Sequence, residues 1–486
     1  MSKTMAPDIP HVVCIPFPAQ SHIKAMMNLA NLLHSKGFYI TLVLTEFHFA
    51  RLLAASLDLN SSFLDSLHDF SFETIPDGLA ADNARNIQDM PELFQSLSGE
   101  PSKAFRGLLK RLLASPDVPP ITSIISDGFM SFAYRIGEEL GIRASLLFTV
   151  GACGFLGCLQ LDELVKRGLF PLEDESCLTN GYLETPIDWV EGLVKGAKLK
   201  HLPTFIRTMN PNDIGLKFTA EAVRNAQTAR GMVIINTFDD LEEKALEAIK
   251  TIKPNIYAIG PLSLLCQHAN DRELLPLKSS LWKEDTNCLL WLDTQNPNSV
   301  IYVNYGSLTV LTPEQLEEFA WGLANSKHPF LWVIRSDLVE GKSNVITDRY
   351  MKEIEGRGLL TGWCPQEKVL RHPSVAMFLT HCGWNSTLES ISEGVPMICW
   401  PFFADQPMNC LYTCQGWSVG MEMEEGNVKR EKVESLVREM MEGDRGKEVK
   451  RKAMEWKRRA AEATSHRGSS HNNFEKLMKY LKCEKK

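Results

Sequence analysis

Short apolar runs alternate with helix-forming segments along the first half of the chain. Residues 11–17 and 39–45 are apolar and rich in β-branched side chains, and residues 23–35 between them carry apolar side chains at helical spacing. Comparable runs follow at 121–126, 145–149 and 231–236. Because short strands joined by helices run parallel, the pattern predicts an α/β fold with a doubly wound parallel sheet.

The alternation restarts after residues 253–261, KPNIYAIGP, which hold two prolines and a glycine. Strand-like runs then occur at 299–304, 330–334, 358–362, 375–380 and 397–400. Thr312-Pro313, with Gln315 three residues after the threonine, predicts a capped helix start. We therefore expect two Rossmann-like domains facing a cleft, with residues 1–252 and 263–460 as the domains and 253–262 as the linker. Ligands of such sheets bind beyond the carboxyl ends of the strands.

The charge and the apolar pattern argue against several classes of protein. A net charge of −8 is unusual for a nucleic-acid-binding protein, which is generally basic. The apolar runs are far shorter than the roughly 18 residues of a membrane span, and residues 1–10 lack the apolar stretch of a secretory signal. The twelve cysteines include no CxxC pair and no zinc-ligand spacing, so we expect buried free thiols in a reducing cytoplasm.

One segment has the features of a phosphate-binding helix start. Residues 380–386, THCGWNS, follow an apolar strand and precede a helical pattern, so backbone N–H groups and the positive end of a helix dipole meet near Asn385. Gly383 lets the backbone approach a ligand closely, and His381, Asn385 and Ser386 add side-chain donors. The alternative is a capped helix without a ligand, because Asn and Ser are common caps.

Aromatic and carboxylate side chains lie near this segment in the predicted sheet. Trp363 follows the run 358–362 and can stack on a nucleobase, although an isolated tryptophan there is more often part of the core. Glu389 lies one turn into the helix and can accept hydrogen bonds from ribose hydroxyls. Asp405 and Gln406 suit the dense hydroxyls of a sugar, although an aspartate after a strand is usually a cap or turn residue.

The 44 residues from Trp363 to Gln406, WCPQEKVLRHPSVAMFLTHCGWNSTLESISEGVPMICWPFFADQ, resemble the donor-binding signature of plant family-1 UDP-glycosyltransferases. The elements WCPQ, HCGWNS and DQ stand at the family's spacing. Further matching segments extend the resemblance along nearly the whole chain: PHVVCIPFPAQ, FETIPDGL, SDGF, NTFDDLE, YAIGPL, YVNYGS and PEQLEEFAWGLANS. The chain looks most similar to the subfamily that glucosylates terpenoids, cyanohydrins and phenolics.

The resemblance implies the GT-B fold, with an N-terminal acceptor-binding domain, a C-terminal donor-binding domain and a final helix, residues 461–486, that packs back on the first domain. It implies UDP-glucose as the donor, because a final glutamine in the signature is associated with glucose. The implied donor contacts are uracil at Trp363 and Cys364, ribose at Gln366 and Glu389, diphosphate at Ser307, His381, Asn385 and Ser386, and hexose at Thr149, Trp384, Asp405 and Gln406.

Two residues of the first half are candidates for acid–base chemistry. His22 ends the loop after the first strand, and Asp127 follows the run 121–126. If these strands are neighbours, Asp127 can orient His22, which can then remove the acceptor's proton. A histidine at a helix start is otherwise often structural. In the resembling family the matching residues have these catalytic roles, and attack from the face opposite UDP gives a β-glycoside.

The loop around His22 departs from the family pattern PAQGHINP. Ser21, Lys24 and Ala25 replace glycine, asparagine and proline. Ser21 would restrict the backbone if that position required a positive φ. Lys24 would lower the pKa of His22 if its charge lay close, or it points to solvent or to an acidic acceptor. The departure bears on acceptor geometry more than on donor binding.

The sequence implies no metal and no cofactor. Residues 341–343, GKS, lack the leading glycine of a phosphate loop because position 336 is serine, and residues 11–22 lack the glycines of a nicotinamide fingerprint. The leading hypothesis is an inverting, cytoplasmic, monomeric enzyme that moves glucose from UDP-glucose to a hydroxyl or carboxyl of a small apolar metabolite. The alternative is a non-catalytic nucleotide-sugar-binding or scaffold protein. The acceptor itself is not readable, because loops such as 77–93 and 153–189 would form its pocket.

Overall fold

The computed structural model describes residues 9–56, 61–79, 90–97, 99–269, 274–335, 337–339, 346–423 and 428–482. The chain divides into two compact units. The first unit comprises Met1–Thr179, Phe205–Trp282 and Glu462–Lys486, and the second comprises Asn180–Thr204 and Lys283–Ala461. Residues 336 and 341–343, and most of the loop 77–93, lie outside the described residues.

The first unit is built on a seven-stranded parallel sheet with the order β3-β2-β1-β4-β5-β6-β7. Its strands are β1 (His11–Ile15), β2 (Tyr39–Thr45), β3 (Phe70–Ile75), β4 (Ile121–Asp127), β5 (Arg143–Phe148), β6 (Val233–Ile235) and β7 (Ile256–Ala258). The central strands are apolar and buried because helices cover both faces. The strand order reverses between β1 and β4, so the carboxyl ends of these two strands meet at a switch point.

Helices connect the strands of the first unit. They are α1 (Gln20–Ser35), α2 (Glu46–Ala55), α3 (Ser61–Ser66), α4 (Met90–Ser96), α5 (Glu100–Ala114), α6 (Ser131–Glu139), α7 (Ala152–Cys158), α8 (Leu161–Lys166), α9 (Ile214–Thr228), α10 (Glu243–Ile252) and α11 (Leu262–His268). Helix α1 buries Ile23, Met26, Ala30 and Leu33 at intervals of three and four residues, as the helical spacing predicts.

The second unit repeats the plan with a six-stranded parallel sheet of order β10-β9-β8-β11-β12-β13. Its strands are β8 (Val300–Asn304), β9 (Phe330–Val333), β10 (Gly358–Thr361), β11 (Val375–Thr380), β12 (Met397–Cys399) and β13 (Gly420–Glu422). Its helices are α12 (Asn287–Asp293), α13 (Pro313–Ser326), α14 (Asp348–Glu353), α15 (Gln366–Arg371), α16 (Trp384–Glu393), α17 (Gln406–Leu411), α18 (Arg430–Glu442) and α19 (Asp444–Thr464). The switch point lies between β8 and β11.

The cap predicted for α13 is confirmed. Thr312 Oγ1 accepts from the Gln315 N–H at 3.2 Å, and Gln315 Oε1 accepts from the Thr312 N–H at 3.0 Å. This reciprocal pair satisfies two backbone donors that a helix start leaves open.

The boundaries of the two units differ from the predicted domains in two places. The predicted linker 253–262 contains β7, the edge strand of the first sheet, and the first unit continues to Trp282. Residues 180–204 lie in the N-terminal half of the sequence but belong to the second unit. Tertiary contacts cause both differences: β7 pairs with β6, and Tyr412 Oη bonds to Gly192 O at 3.1 Å.

The last helix, α20 (Ser469–Leu481), belongs to the first unit. Its apolar face, including Phe474, Leu477 and Leu481, joins the cluster that also contains residues of β1, β2 and α1. Asn473 donates to Ala258 O at 3.0 Å, which ties the helix to β7. The boundary between the units falls after Ala461, inside α19.

Two findings concern membranes and cysteines. Among the described helices, none combines the length and the apolar character needed to cross a membrane. The eleven cysteines in the described part of the chain are free thiols, nine of them buried, as the sequence predicts.

Candidate active site

His22 and Asp127 meet at the switch point of the first sheet. His22 lies in the first turn of α1, just after β1, and Asp127 is the last residue of β4. His22 Nδ1 lies 2.7 Å from Asp127 Oδ2. The aspartate side chain is fully buried, whereas 16 % of the histidine side chain is exposed. Asp127 Oδ1 accepts from the Phe129 N–H at 3.0 Å, which fixes the carboxylate. The hydrogen bond to Asp127 places the imidazole proton of His22 on Nδ1. Nε2 is then the nitrogen that can accept a proton.

Thr149 lies against the same imidazole. It follows β5, is 5 % exposed, and its Oγ1 lies 2.9 Å from His22 Nδ1 and 3.3 Å from Nε2. The structure therefore places Thr149 in the first unit, in contact with the base, although the resemblance assigns it to the sugar of the donor.

The unusual loop before His22 does not strain the backbone. Ser21 is the second residue of α1, is exposed, and is not among the described residues with positive φ. The position therefore does not need the conformational freedom of glycine. Lys24 lies half-buried on the same helix.

The switch point of the second sheet holds the THCGWNS segment at the start of a helix. Strand β11 ends at Thr380, Cys382 has a positive φ of 64°, and Gly383 is the N-cap of α16. The N–H groups of the first turn therefore point out of the helix start, which is the arrangement that binds anions. Asn385 is half-buried and Ser386 is buried in this first turn.

His381 fits into a gap between two glycines. A Cβ atom placed on Gly306 would lie 2.4 Å from His381 Nε2, and one placed on Gly383 would lie 2.5 Å from the same nitrogen. Gly306 also has a positive φ of 74°. Both positions thus require glycine, and Ser307 follows directly in the loop that begins after β8.

Gln366 links the residues predicted to bind ribose. Its Nε2 donates to Glu389 Oε2 at 2.9 Å and to Ser386 Oγ at 3.0 Å. Its Oε1 accepts from Asn304 Nδ2 at 3.0 Å and from Tyr302 Oη at 3.2 Å. The network connects β8, α15 and α16. It therefore holds the buried carboxylate of Glu389 in a fixed position on α16.

Two of the predicted hexose contacts, Asp405 and Gln406, lie at the start of α17. Gln406 Oε1 accepts from the N–H groups of Phe402 and Phe403 at 2.8 and 2.9 Å, and its Nε2 makes no hydrogen bond to a described residue. Asp405 Oδ2 accepts from Asn409 Nδ2 at 3.0 Å. Gln406 therefore shapes the turn with its oxygen and keeps its N–H₂ group as a donor for a ligand.

The predicted base-binding residues lie where β10 ends. Trp363 is half-buried, and its carbonyl accepts from the Asp285 N–H at 2.9 Å. Cys364 is buried, with Sγ 3.3 Å from Tyr302 Oη. Trp384, the first residue of α16, is 3 % exposed and packs near Trp417, with ring centroids 6.1 Å apart. The second unit thus brings the predicted uracil, ribose, diphosphate and hexose residues other than Thr149 to one edge of its sheet.

Comparison with known proteins assigns this chain to a family. Residues 279–457 match the model of the UDP-glucoronosyl and UDP-glucosyl transferase family. The chain is 50 % identical over 484 residues to 7-deoxyloganetin glucosyltransferase of Gardenia jasminoides, with 99 % of each chain covered. It is 47 % identical to (R)-mandelonitrile beta-glucosyltransferase of Prunus dulcis, with 98 % of each covered. The chain belongs to the UDP-glucoronosyl and UDP-glucosyl transferase family.

A solved structure shows the same fold in this glycosyltransferase family. Os79 from O. sativa, in complex with UDP, superposes with a TM-score of 0.80 at 27 % identity, over 97 % of this chain and all of that one. The predicted family and the predicted GT-B fold are thereby confirmed.

Three residues that support the predicted donor-binding residues of this glycosyltransferase were not themselves predicted. Tyr302 and Asn304 support Gln366, and Arg335, 3 % exposed, donates to carbonyls of the loop that carries Ser307. Tyr302 and Asn304 lie within an apolar strand, so the sequence gives no sign of their role. For Arg335, the sequence offers one signal of a role in the site, which is its charge directly after the strand-like run 330–334.

Three buried thiols of the glycosyltransferase also lie together. The Sγ atoms of Cys382, Cys399 and Cys410 all lie within 4.8 Å of one another. They come from separate elements, so their spacing in sequence does not reveal the cluster. Burial raises the pKa of Cys382 and of Cys399 well above the usual value of a thiol. The two are therefore protonated at neutral pH and pack as small apolar side chains.

Burial, helped by the nearby Arg335 charge, lowers the pKa of His381 to about 3, from 6.5 for an ordinary histidine. His381 is therefore neutral at physiological pH and can donate one N–H to a ligand. The unfolded chain binds a proton at this residue below pH 6.5, whereas the folded protein does so only near pH 3. Stability must consequently fall as the pH drops through this window.

We expect His381→Gln to reduce the loss of folding stability at low pH. Between about pH 4 and 6.5 the unfolding free energy of the variant should depend less on pH than that of the wild type, by up to about 1.4 kcal/mol per pH unit. Denaturant unfolding at several pH values measures the difference, with the exposed His68→Gln as the control. Parallel curves for His381→Gln and the wild type would contradict a buried neutral histidine.

Proposed function

We propose that this enzyme transfers glucose from UDP-glucose to a hydroxyl of a small, largely apolar metabolite and inverts the anomeric configuration. The observation that carries the proposal is the 2.7 Å hydrogen bond between His22 and the fully buried Asp127. An imidazole oriented by a buried carboxylate is a general base suited to activating a hydroxyl.

The proposed reaction is a single displacement. His22 Nε2 accepts the proton of the acceptor hydroxyl while the oxygen forms a bond to C1 of glucose. The bond between C1 and the β-phosphate oxygen of UDP breaks, and UDP carries away the electron pair. Attack opposite the leaving group converts the α-linked donor into a β-glucoside. Asp127 stabilises the imidazolium that forms.

The donor is assigned to the switch point of the second unit. Gln366 and Glu389 would bind the ribose, and Trp363 would stack on the uracil. The diphosphate would meet His381, Ser307 and the N–H groups at the start of α16. In this proposal the helix start and neutral donors offset the charge of the diphosphate. The UDP bound in the Os79 structure supports a UDP-sugar donor.

The surroundings of His22 support an apolar acceptor. The rings of Phe17 and Phe129 lie 5.0 and 5.9 Å from the imidazole, measured between centroids. Phe94 and Phe218 stack on each other at 4.4 Å, and both lie near Phe17. Aromatic side chains bind flat or apolar ligands well. The Gardenia and Prunus relatives are named for 7-deoxyloganetin and (R)-mandelonitrile, which makes cyclic terpenoids and cyanohydrins the first acceptors to test.

Product analysis tests the proposed function. The purified protein is incubated with UDP-glucose and terpenols, cyanohydrins or phenols, and we expect UDP release and a β-glucoside identified by mass spectrometry and NMR. UDP-galactose serves as the matched donor and should react more slowly, and EDTA should leave the rate unchanged. Binding of UDP-glucose without release for any acceptor would instead favour the non-catalytic alternative. Gel filtration tests the predicted monomer.

A further inference from the structure

Arg335 is a buried cation in the second unit. It makes no hydrogen bond to the side chains that are predicted to bind the ligand. It lies two residues after β9, and only 3 % of it is exposed. Burial lowers the pKa of its guanidinium, because the charged form loses its hydration there. A buried charge persists only where its donors are well satisfied.

Most hydrogen bonds of the guanidinium are made to backbone carbonyls of one loop. Arg335 Nη1 donates to Gly306 O, and Nη2 donates to Thr309 O at 2.8 Å. Nε donates to Asp337 Oδ1 at 3.0 Å. The two carbonyls flank Ser307, so Arg335 holds the segment 306–309 (the Ser307 loop) at both ends.

These bonds determine where the loop's N–H groups point. In a trans peptide the C=O of one residue and the N–H of the next point in opposite directions. Because Gly306 O faces Arg335, the Ser307 N–H faces away from it. The same geometry turns the Val310 N–H away, because Thr309 O also faces the guanidinium. Arg335 therefore orients the N–H groups of Ser307 and Val310 through the carbonyls that precede them.

The Ser307 loop is also in contact with His381. Gly306 packs so closely on the imidazole that a Cβ there would lie 2.4 Å from Nε2. The Gly306 N–H is held by Asn304 Oδ1 at 2.9 Å, which fixes the start of the loop. A shift of the loop would therefore displace Ser307, and it would also displace His381, which lies two residues before the N-cap of α16.

We propose that Arg335 is a positioning residue of the donor site, which aims the Ser307 loop and His381 at the diphosphate and supplies a fixed positive charge beneath it. This inference rests on the proposed function, because it names a support for the same UDP-binding site. A merely structural arginine would affect folding stability but not donor affinity.

Three substitutions separate positioning from structure. Arg335→Gln should raise the UDP dissociation constant and the KM for UDP-glucose by about 30-fold, since charge-assisted bonds to the loop are lost. Arg335→Lys keeps the charge but can bond to only part of the loop. The loss of UDP affinity in this variant should therefore be smaller, about fivefold. The acceptor's KM and the pH profile of kcat should not change. Arg357→Gln is the matched control, because Arg357 also donates to a carbonyl of this unit, that of Glu353.

Chemical rescue tests the charge directly. In Arg335→Ala, guanidinium at low concentration should restore part of the UDP affinity, whereas urea, which has nearly the same shape but no charge, should not. Rescue by urea to the same degree would overturn the role of the charge. If Arg335→Ala or Arg335→Gln fails to fold, as judged by circular dichroism, Arg335→Lys decides.

The inference and the proposed function fail in different ways. A wild-type protein that neither binds UDP nor transfers glucose would remove the proposed function. A wild-type protein that does both, with Arg335→Gln and Arg335→Lys binding UDP as tightly as it does, would overturn only the inference about Arg335. Isothermal titration with UDP, measured before any acceptor is added, distinguishes the two results.

Discussion

Replacing His22 by alanine is expected to lower kcat for glucosyl transfer by about 10³-fold, the usual contribution of a general base. UDP affinity should stay within about twofold, because the predicted donor residues other than Thr149 belong to the second unit. Initial rates with an accepted hydroxyl substrate, and titration with UDP, measure the two quantities. His34→Ala is the matched control, since His34 lies at the opposite end of the same helix. Retained turnover in His22→Ala would remove His22 from the mechanism.

Asp127→Asn should produce a loss of similar size for a different reason. Asp127 Oδ2 accepts the proton of Nδ1 at 2.7 Å, and an asparagine can instead turn its N–H₂ group towards this nitrogen. Nδ1 would then become the acceptor and Nε2 would carry the proton, so the base would be blocked by the wrong tautomer. A variant as active as the wild type would show that the carboxylate does not orient the base.

Replacing Gly306 by alanine is expected to weaken UDP binding by about 100-fold. A methyl group at this position would lie 2.4 Å from His381 Nε2, and the positive φ of 74° adds strain of about 1 kcal/mol. The Ser307 loop must move to relieve the contact, and it would displace Ser307 and His381, which are both predicted diphosphate contacts. Isothermal titration with UDP provides the measurement.

Gly356→Ala is the matched control for that substitution. Gly356 has nearly the same φ, 77°, but a methyl group there would meet nothing within 4 Å. We expect it to reduce stability by about 1 kcal/mol through backbone strain and to leave UDP binding unchanged. Equal UDP affinity in both variants would show that the close packing of Gly306 on His381 is unimportant for the donor.

Local signals in the sequence account for much of the fold. Buried apolar runs of about five residues, separated by amphipathic helices, are enough to predict parallel sheets. The proximity of His22 and Asp127 could be anticipated because each lies at the carboxyl end of a predicted strand, but only the pairing of β1 with β4 makes them neighbours. The helix start was predicted near Asn385 for the same kind of reason, since a strand leads directly into a helical pattern, and the structure places the N-cap two residues earlier, at Gly383.

Features that depend on tertiary contacts could not be predicted. Strand β7 is three residues long and lies among prolines, so its sequence resembles a linker until β6 pairs with it. Arg335 carries no local sign of the Ser307 loop, because the two carbonyls that it binds lie 26 and 29 residues earlier in the chain. Residues 180–204 have no strand or helix pattern that would assign them to the second unit.

The division of the chain has a consequence for biosynthesis. The path passes from one unit to the other four times, after residues 179, 204, 282 and 461. Helix α20 completes the core that β1 begins, and Leu477 and Leu481 are fully buried in it. The first sheet therefore leaves the ribosome long before the helix that covers part of it. A chain interrupted before α20 is made therefore lacks part of the first unit's core, and apolar side chains of α1, β1 and β2 that α20 would cover stay exposed to water.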